Sequence, residues 1–172
     1  LDSLNAEVII VGIEHGNEKR MDELTPYPNE KYGGGKADAY LDFIVTILKP
    51  HIDTNNRTKT GKMNTAIAGS SLGGLVSYYA ILKYPKIFGK AAIFSPSFWF
   101  NNTIYTLTES ARNLKTKLYF MCGDSEGETT VADMDKMVDL VNDKRCTCMH
   151  LTKKVVIVNG KHNEKLWAKE FG

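Results

Sequence analysis

The chain has 172 residues, a length that suits one domain, with 42% hydrophobic and 24% charged residues. Its net charge of +2 gives no electrostatic case for a nucleic acid or an anionic membrane surface, and no apolar run approaches the roughly 20 residues that a membrane span requires. The cysteines, Cys122, Cys146 and Cys148, do not make a disulfide framework, and Cys146-Thr147-Cys148 lacks the two-residue gap and the second pair of a zinc site, so no metal is expected.

In chain order, residues 7–13 form a continuous apolar run closed by glycine, which predicts a buried parallel strand. Residues 14–35 hold Gly, Asn and Pro without a period and read as one long loop, a feature that often carries function. Ala37, Tyr40, Leu41, Ile44 and Leu48 follow helical spacing, and Pro50 is expected to end that helix. A polar, turn-rich segment leads to residues 64–68, which read as a short buried strand. A helix over 75–83 then stops before Pro85. Further strands are predicted at 90–94, 117–122 and 154–158. A helix over 131–142 has Met134, Met137, Val138 and Val141 on one face, and a last helix covers 163–171 with Trp167 and Phe171 as core. Strands alternating with helices predict an α/β fold, with a mostly parallel sheet and helices on both faces.

The chemistry centres on Gly69-Ser70-Ser71-Leu72-Gly73-Gly74, between a strand and a helix. A serine at such a corner, with glycines two residues to either side, has the G-x-S-x-G pattern of a nucleophile elbow. Its hydroxyl is lifted out of the sheet, and the Leu72 N–H lies at a helix N-terminus, where a developing oxyanion is favoured. No Lys follows the glycines and the G-x-G-x-x-G spacing is absent, so phosphate and dinucleotide loops are excluded. A serine hydroxyl needs a base, and the base needs a group to orient it. His162 follows the last strand at its carboxyl end, where active groups of open α/β sheets gather. His15 lies in the long loop, His51 at a helix end and His150 at the amino end of the last strand. The acid comes from the loop holding Asp124, Glu126 and Glu128, with Glu126 preferred and Asp124 next. Around these, Arg20 either pairs with Glu23 to brace the loop or holds an anionic part of the substrate. Trp99 either lines an aromatic pocket or packs beneath the loop, and His15 stands with both as a substrate-binding candidate.

Several stretches together resemble a known family. They are residues 8–13 with Arg20, Glu23, Leu24, Thr25 and Pro26; Gly33-Gly34-Gly35-Lys36-Ala37-Asp38; the Ser71 elbow; Ser95-Pro96-Ser97-Phe98-Trp99; Gly123 with Glu126; and Gly160-Lys161-His162-Asn163 with Trp167. The chain is similar, over nearly its whole length, to the esterase D-like group of α/β-hydrolases, which includes siderophore, feruloyl and acetyl-xylan esterases. The resemblance implies an α/β-hydrolase fold, Ser71 as nucleophile, His162 as base, the Glu126 loop as acid, Leu72 as one oxyanion donor, and no cofactor. The implied substrate is a small-molecule or carbohydrate-linked ester. Family members carry earlier strands, and a loop before them gives a second oxyanion donor. Residues 1–172 are therefore expected to be the C-terminal two-thirds of a longer catalytic domain. The expected activity is a serine carboxylic ester hydrolase working through an acyl-enzyme. An acyltransferase or thioesterase, or a binding module without turnover, is the alternative.

Overall fold

The computed structural model describes residues 7–111, 114–144 and 151–171; the readings of Cys146, Cys148 and His150 lie outside them. The amino-terminal third is helical: α1 (Arg20–Leu24), α2 (Ala37–Phe43), a π-helical turn (Ile44–Leu48) and α3 (Lys49–Asn55). Strand and helix then alternate through β1 (Ala66–Ser70), α4 (Leu72–Lys83), β2 (Lys90–Phe94), α5 (Thr103–Ser110), β3 (Lys117–Gly123), α6 (Thr130–Asp143), β4 (Thr152–Ile157) and α7 (Glu164–Phe171). The four strands are parallel and lie in the order β1-β2-β3-β4. All their carboxyl ends therefore point the same way, which gathers the loops bearing Ser71, Ser95, Glu126 and His162 at one rim.

The strand period sorts the core into two faces. Ala91, Ile93, Leu118, Phe120 and Cys122 join the α4, α5 and α6 side chains in the main core. Phe94 and Met121 turn to the opposite face, where Leu166 and Trp167 of α7 cover them. Helices thus lie on both faces. α4 is apolar nearly all round and is buried from Leu72 and Gly74 through Ile81; such a helix belongs in an interior. α6 buries only Met134, Met137, Val138 and Val141, a single stripe. Burying a side chain of the size of Phe120 or Met134 contributes about 1.5–3 kcal/mol, so each crossover helix is held mainly by its core face.

Four sequence expectations are corrected. Residues 7–13 form no strand, and Ile9 and Ile10 are 53% and 57% exposed. An apolar run requires cover, and a strand requires a neighbour to complete its backbone hydrogen bonds; among the described residues nothing pairs with this segment. β1 is not buried for the same reason. Among the described residues it pairs with β2 alone, and Ala66 and Ala68 are exposed. Pro50 does not end the helix. The π-helical turn closes Lys49 N–H onto the Ile44 carbonyl, and the missing proline donor falls in the first turn of α3, where helices tolerate it. The long loop contains α1, and Thr103–Ser110 is a helix that the periodicity did not reveal.

Candidate active site

Ser71 sits between β1 and α4 with φ 57° and ψ −121°, a backbone state that costs an L-residue about 1–3 kcal/mol. Neighbouring structure holds it there. Its N–H donates to the Phe94 carbonyl at the end of β2, and its own carbonyl accepts from Ser97 N–H and Leu75 N–H. The turn closes so tightly that a Cβ on Gly69 would overlap the Gly73 carbonyl, whereas a Cβ on Gly73 would meet open space. The close approach is thus demanded at Gly69 and not at both flanking glycines. The Leu72 N–H opens α4 and has no acceptor among the described residues, which leaves it directed at whatever occupies the space before the helix.

The loop after β2 spans the rim. Ser97 Oγ lies 3.3 Å from Ser71 Oγ. Two residues earlier Ser95, buried and at φ 44°, donates its hydroxyl proton to Glu126 Oε1 at 2.6 Å. The Gly123 N–H donates to the same oxygen, also at 2.6 Å. The other carboxylate oxygen, Oε2, lies 2.9 Å from His162 Nδ1. The Glu126 side chain is wholly buried, and the imidazole is partly exposed. Burial pushes the Glu126 carboxyl up, but the hydrogen bonds from His162, Ser95 and Gly123 together outweigh it and hold the group below the usual carboxylate range. Glu126 is therefore a carboxylate in the neutral pH range. An ionised acceptor facing Nδ1 puts the neutral imidazole's proton on Nδ1 and leaves Nε2 as the basic nitrogen.

The acid and histidine loops are brought together by backbone. Asp124 N–H donates to the Ile157 carbonyl and Ser125 N–H to the Gly160 carbonyl. Gly123 and Gly160 touch main chain to main chain; a Cβ on Gly160 would lie 2.7 Å from Gly123 Cα. Only glycine fits at either position.

The other sequence candidates separate. Asp124 does not meet His162. Its Oδ1 accepts from Asn159 N–H and Ser125 Oγ, so it fastens the exit of β4. Three carboxylates on one short loop are indistinguishable by spacing, and only the inward turn of Glu126 decides between them. Arg20 forms no ion pair with Glu23 among the described residues; Glu23 instead accepts the Gly16 N–H at 2.7 Å and braces the loop without it. His15 is exposed and accepts from the Asn17 N–H through Nδ1. Trp99 is not packed beneath the loop. It is 53% exposed and meets Tyr32 edge-on. With Pro28, Asn29, Lys31 and Asn101 it borders a cleft of about 500 Å³. The two sides of this cleft are tied by Asn29 Nδ2 donating to the Phe100 carbonyl and Asn101 Nδ2 donating to the Pro28 carbonyl.

Sequence reasoning missed Ser95, whose bond to Glu126 has no local pattern, and it read Trp167 as core alone. Its indole N–H donates to Ser95 Oγ at 2.7 Å, and its ring meets the His162 ring edge-to-face at 4.9 Å. Cys122, also at the end of β3, has its thiol pushed up to about 12, chiefly by burial and then by the Glu126 charge, so it stays protonated.

Comparison with known proteins bears on the family and the fold. The chain is 37% identical over 128 residues to the uncharacterized protein YbbA of Bacillus subtilis (strain 168), covering 70% of this chain and 50% of YbbA. It is 36% identical over 88 residues to the siderophore enterobactin esterase of Emericella nidulans, covering 51% of this chain and 28% of that protein. The chain thus spans half or less of the length of these curated relatives. Among solved structures, the BES protein from Bacillus cereus superposes with a TM-score of 0.73 at 23% identity, over 94% of this chain and 63% of that one, a likeness of fold. The sequence profile of the family described as "Putative esterase" matches residues 2–172, and the chain belongs to that family.

Proposed function

We propose that the chain carries the catalytic centre of a serine carboxylic ester hydrolase. Ser71 Oγ attacks the ester carbonyl while His162 Nε2 takes its proton. The Leu72 N–H donates to the tetrahedral oxyanion. His162 then returns the proton to the leaving alcohol, and water, activated by the same nitrogen, releases the acyl group from Ser71. Glu126 fixes the imidazole and stabilises its cation. The observation that carries this reading is the buried Glu126 carboxylate against His162 Nδ1, on the rim where Ser71 is held at a strained elbow. Ser71 Oγ rests against Ser97 Oγ, and among the described residues no hydrogen bond joins it to His162. Nucleophile–base contacts are commonly long in free enzymes and tighten with substrate.

The substrate class we propose is a siderophore, feruloyl or acetyl ester. The kinship with an enterobactin esterase supports it, and half-exposed Trp99, in a cleft otherwise lined mainly by polar residues, offers an aromatic contact. We propose further that the whole catalytic domain exceeds these residues, since the open side of β1 and the exposed run at 8–13 form a flank that additional strands would cover.

Covalent labelling tests the reading. A fluorophosphonate probe should form one adduct, mapped to Ser71 and absent in Ser71→Ala, and the labelled protein should lose turnover on a panel of feruloyl, acetyl and catecholate esters. Tight binding of such an ester by folded protein, with neither adduct nor hydrolysis, would overturn the hydrolase in favour of a binding module.

A further inference from the structure

We infer that Trp167 and Ser95 are positioning residues that set the tautomer of His162 by orienting Glu126, a role that rests on the hydrolase reading above. The argument is one of donors and acceptors. An indole N–H can only donate, and a carboxylate can only accept. Ser95 Oγ lies between them, 2.7 Å from Trp167 Nε1 and 2.6 Å from Glu126 Oε1. Its lone pair faces the indole, so its single proton has one direction left, toward Glu126. A serine hydroxyl normally rotates among partners; here the tryptophan removes that freedom.

With Ser95 Oγ–H and the Gly123 N–H both on one carboxylate oxygen, Oε1, the group cannot twist out of this plane without abandoning a donor. Oε2 is left to His162 Nδ1. The same tryptophan stands edge-to-face against the imidazole, its ring perpendicular to it. One side chain thus sets the ring plane of His162 directly and its proton position through a chain of three hydrogen bonds. Trp167 is delivered there by its helix: Asn163 Oδ1 accepts the Leu166 N–H and starts α7 directly after His162. Ser95 is held at positive φ with its N–H on the Met121 carbonyl, so its hydroxyl is fixed from the backbone side as well.

The test uses Trp167→Phe, which keeps a ring beside His162 but removes the N–H, and Ser95→Ala. Two readouts are taken on each folded variant: the ¹⁵N signature of the His162 ring at a pH where it is neutral, and the rate at which a fluorophosphonate labels Ser71. In the unaltered chain His162 should be a single Nδ1–H tautomer. In both variants that signature should become a mixture, and labelling should slow by about 10- to 100-fold, a part of what a positioned general base supplies. If both signals stay at their wild-type values in folded variants, the inference is overturned. If Trp167→Phe does not fold, Ser95→Ala decides by the same criteria, since it deletes one oxygen and no ring. Loss of the tautomer signature in the variants, with no labelling of Ser71 even in the unaltered chain, supports the relay and overturns the hydrolase reading, so the two failures are distinct.

Discussion

Replacing Glu126 by Gln keeps the shape of the side chain and removes its charge, and the structure dictates which way the amide must turn. Gly123 N–H is a backbone donor that cannot rotate away, and it lies 2.6 Å from the Oε1 position. Ser95 supplies a second donor there. The glutamine carbonyl must therefore occupy that position, and the NH₂ takes the place of Oε2, facing His162 Nδ1. A donor opposite Nδ1 drives the imidazole proton to Nε2, which removes the base that Ser71 requires. A triad whose histidine is held in the wrong tautomer loses on the order of 10⁴ in rate, equal to about 5 kcal/mol at 1.36 kcal/mol per tenfold. The assay is the second-order rate of fluorophosphonate labelling at Ser71, followed by intact mass, with ester hydrolysis alongside. Asp124→Asn serves as the control, since Asp124 holds only the Asn159 N–H and Ser125 Oγ, and it should stay within about threefold of the unaltered chain, a difference worth well under 1 kcal/mol. A Glu126→Gln protein that labels within tenfold of the unaltered chain, or an Asp124→Asn protein that loses labelling, would refute the assignment of the acid.

The same carboxylate gives the stability a defined acid limb. Its pKa is lowered on folding from an ordinary value of 4.5, so its contribution is complete above that pH, declines as pH falls toward the lower folded value, and is absent below it. Chemical denaturation across this window should show the gap between the unaltered chain and Glu126→Gln closing as pH falls. Gly160→Ala forces a Cβ onto the Gly123 backbone and should cost about 2–4 kcal/mol in urea unfolding, with labelling lost in whatever remains folded. Ser71→Gly relieves an L-residue of φ 57° and should raise the melting temperature by about 2–4 °C while abolishing labelling. Trp99→Ala, at a half-exposed position, should leave the melting temperature nearly unchanged and raise KM for aromatic esters by about tenfold, the equivalent of one aromatic contact, with acetyl esters little affected.

Much of the sheet was legible because buried strands announce themselves: residues 90–94 and 117–123 are apolar on both faces, and both faces are covered. Residues 8–13 carry the same pattern and are exposed, because a strand is a property of two chain segments, and the sequence of one cannot show whether its neighbour is present. The proline rule failed at Pro50 because a π turn just upstream changed which carbonyl each amide meets, an adjustment without a compositional sign. Of the proposed site, Ser71 at its strand–helix corner and His162 beyond the last strand were expected from local context, and the parallel sheet sets both on one rim. Glu126 was preferred to Asp124, but residues two apart on a loop are told apart only by which turns inward, and it is Glu126 that faces His162. Trp167 was half read: its i,i+4 spacing with Phe171 does place both against the Phe94 face, but spacing says nothing of where an indole N–H points.

The order of the strands in the sheet is also their order along the chain. Each strand docks on the one made just before it, Ala66 beside Lys90, Lys90 beside Lys117, Leu118 beside Thr152. A ribosome therefore releases the rim in a fixed succession: the serine first, then the Ser95–Ser97 span, then the carboxylate, and last the histidine with the tryptophan beside it. A nascent chain that stops before β4 carries the Ser71 elbow without His162. On the proposed mechanism, the rim can react only once α7 has been made and has docked Trp167 beside His162.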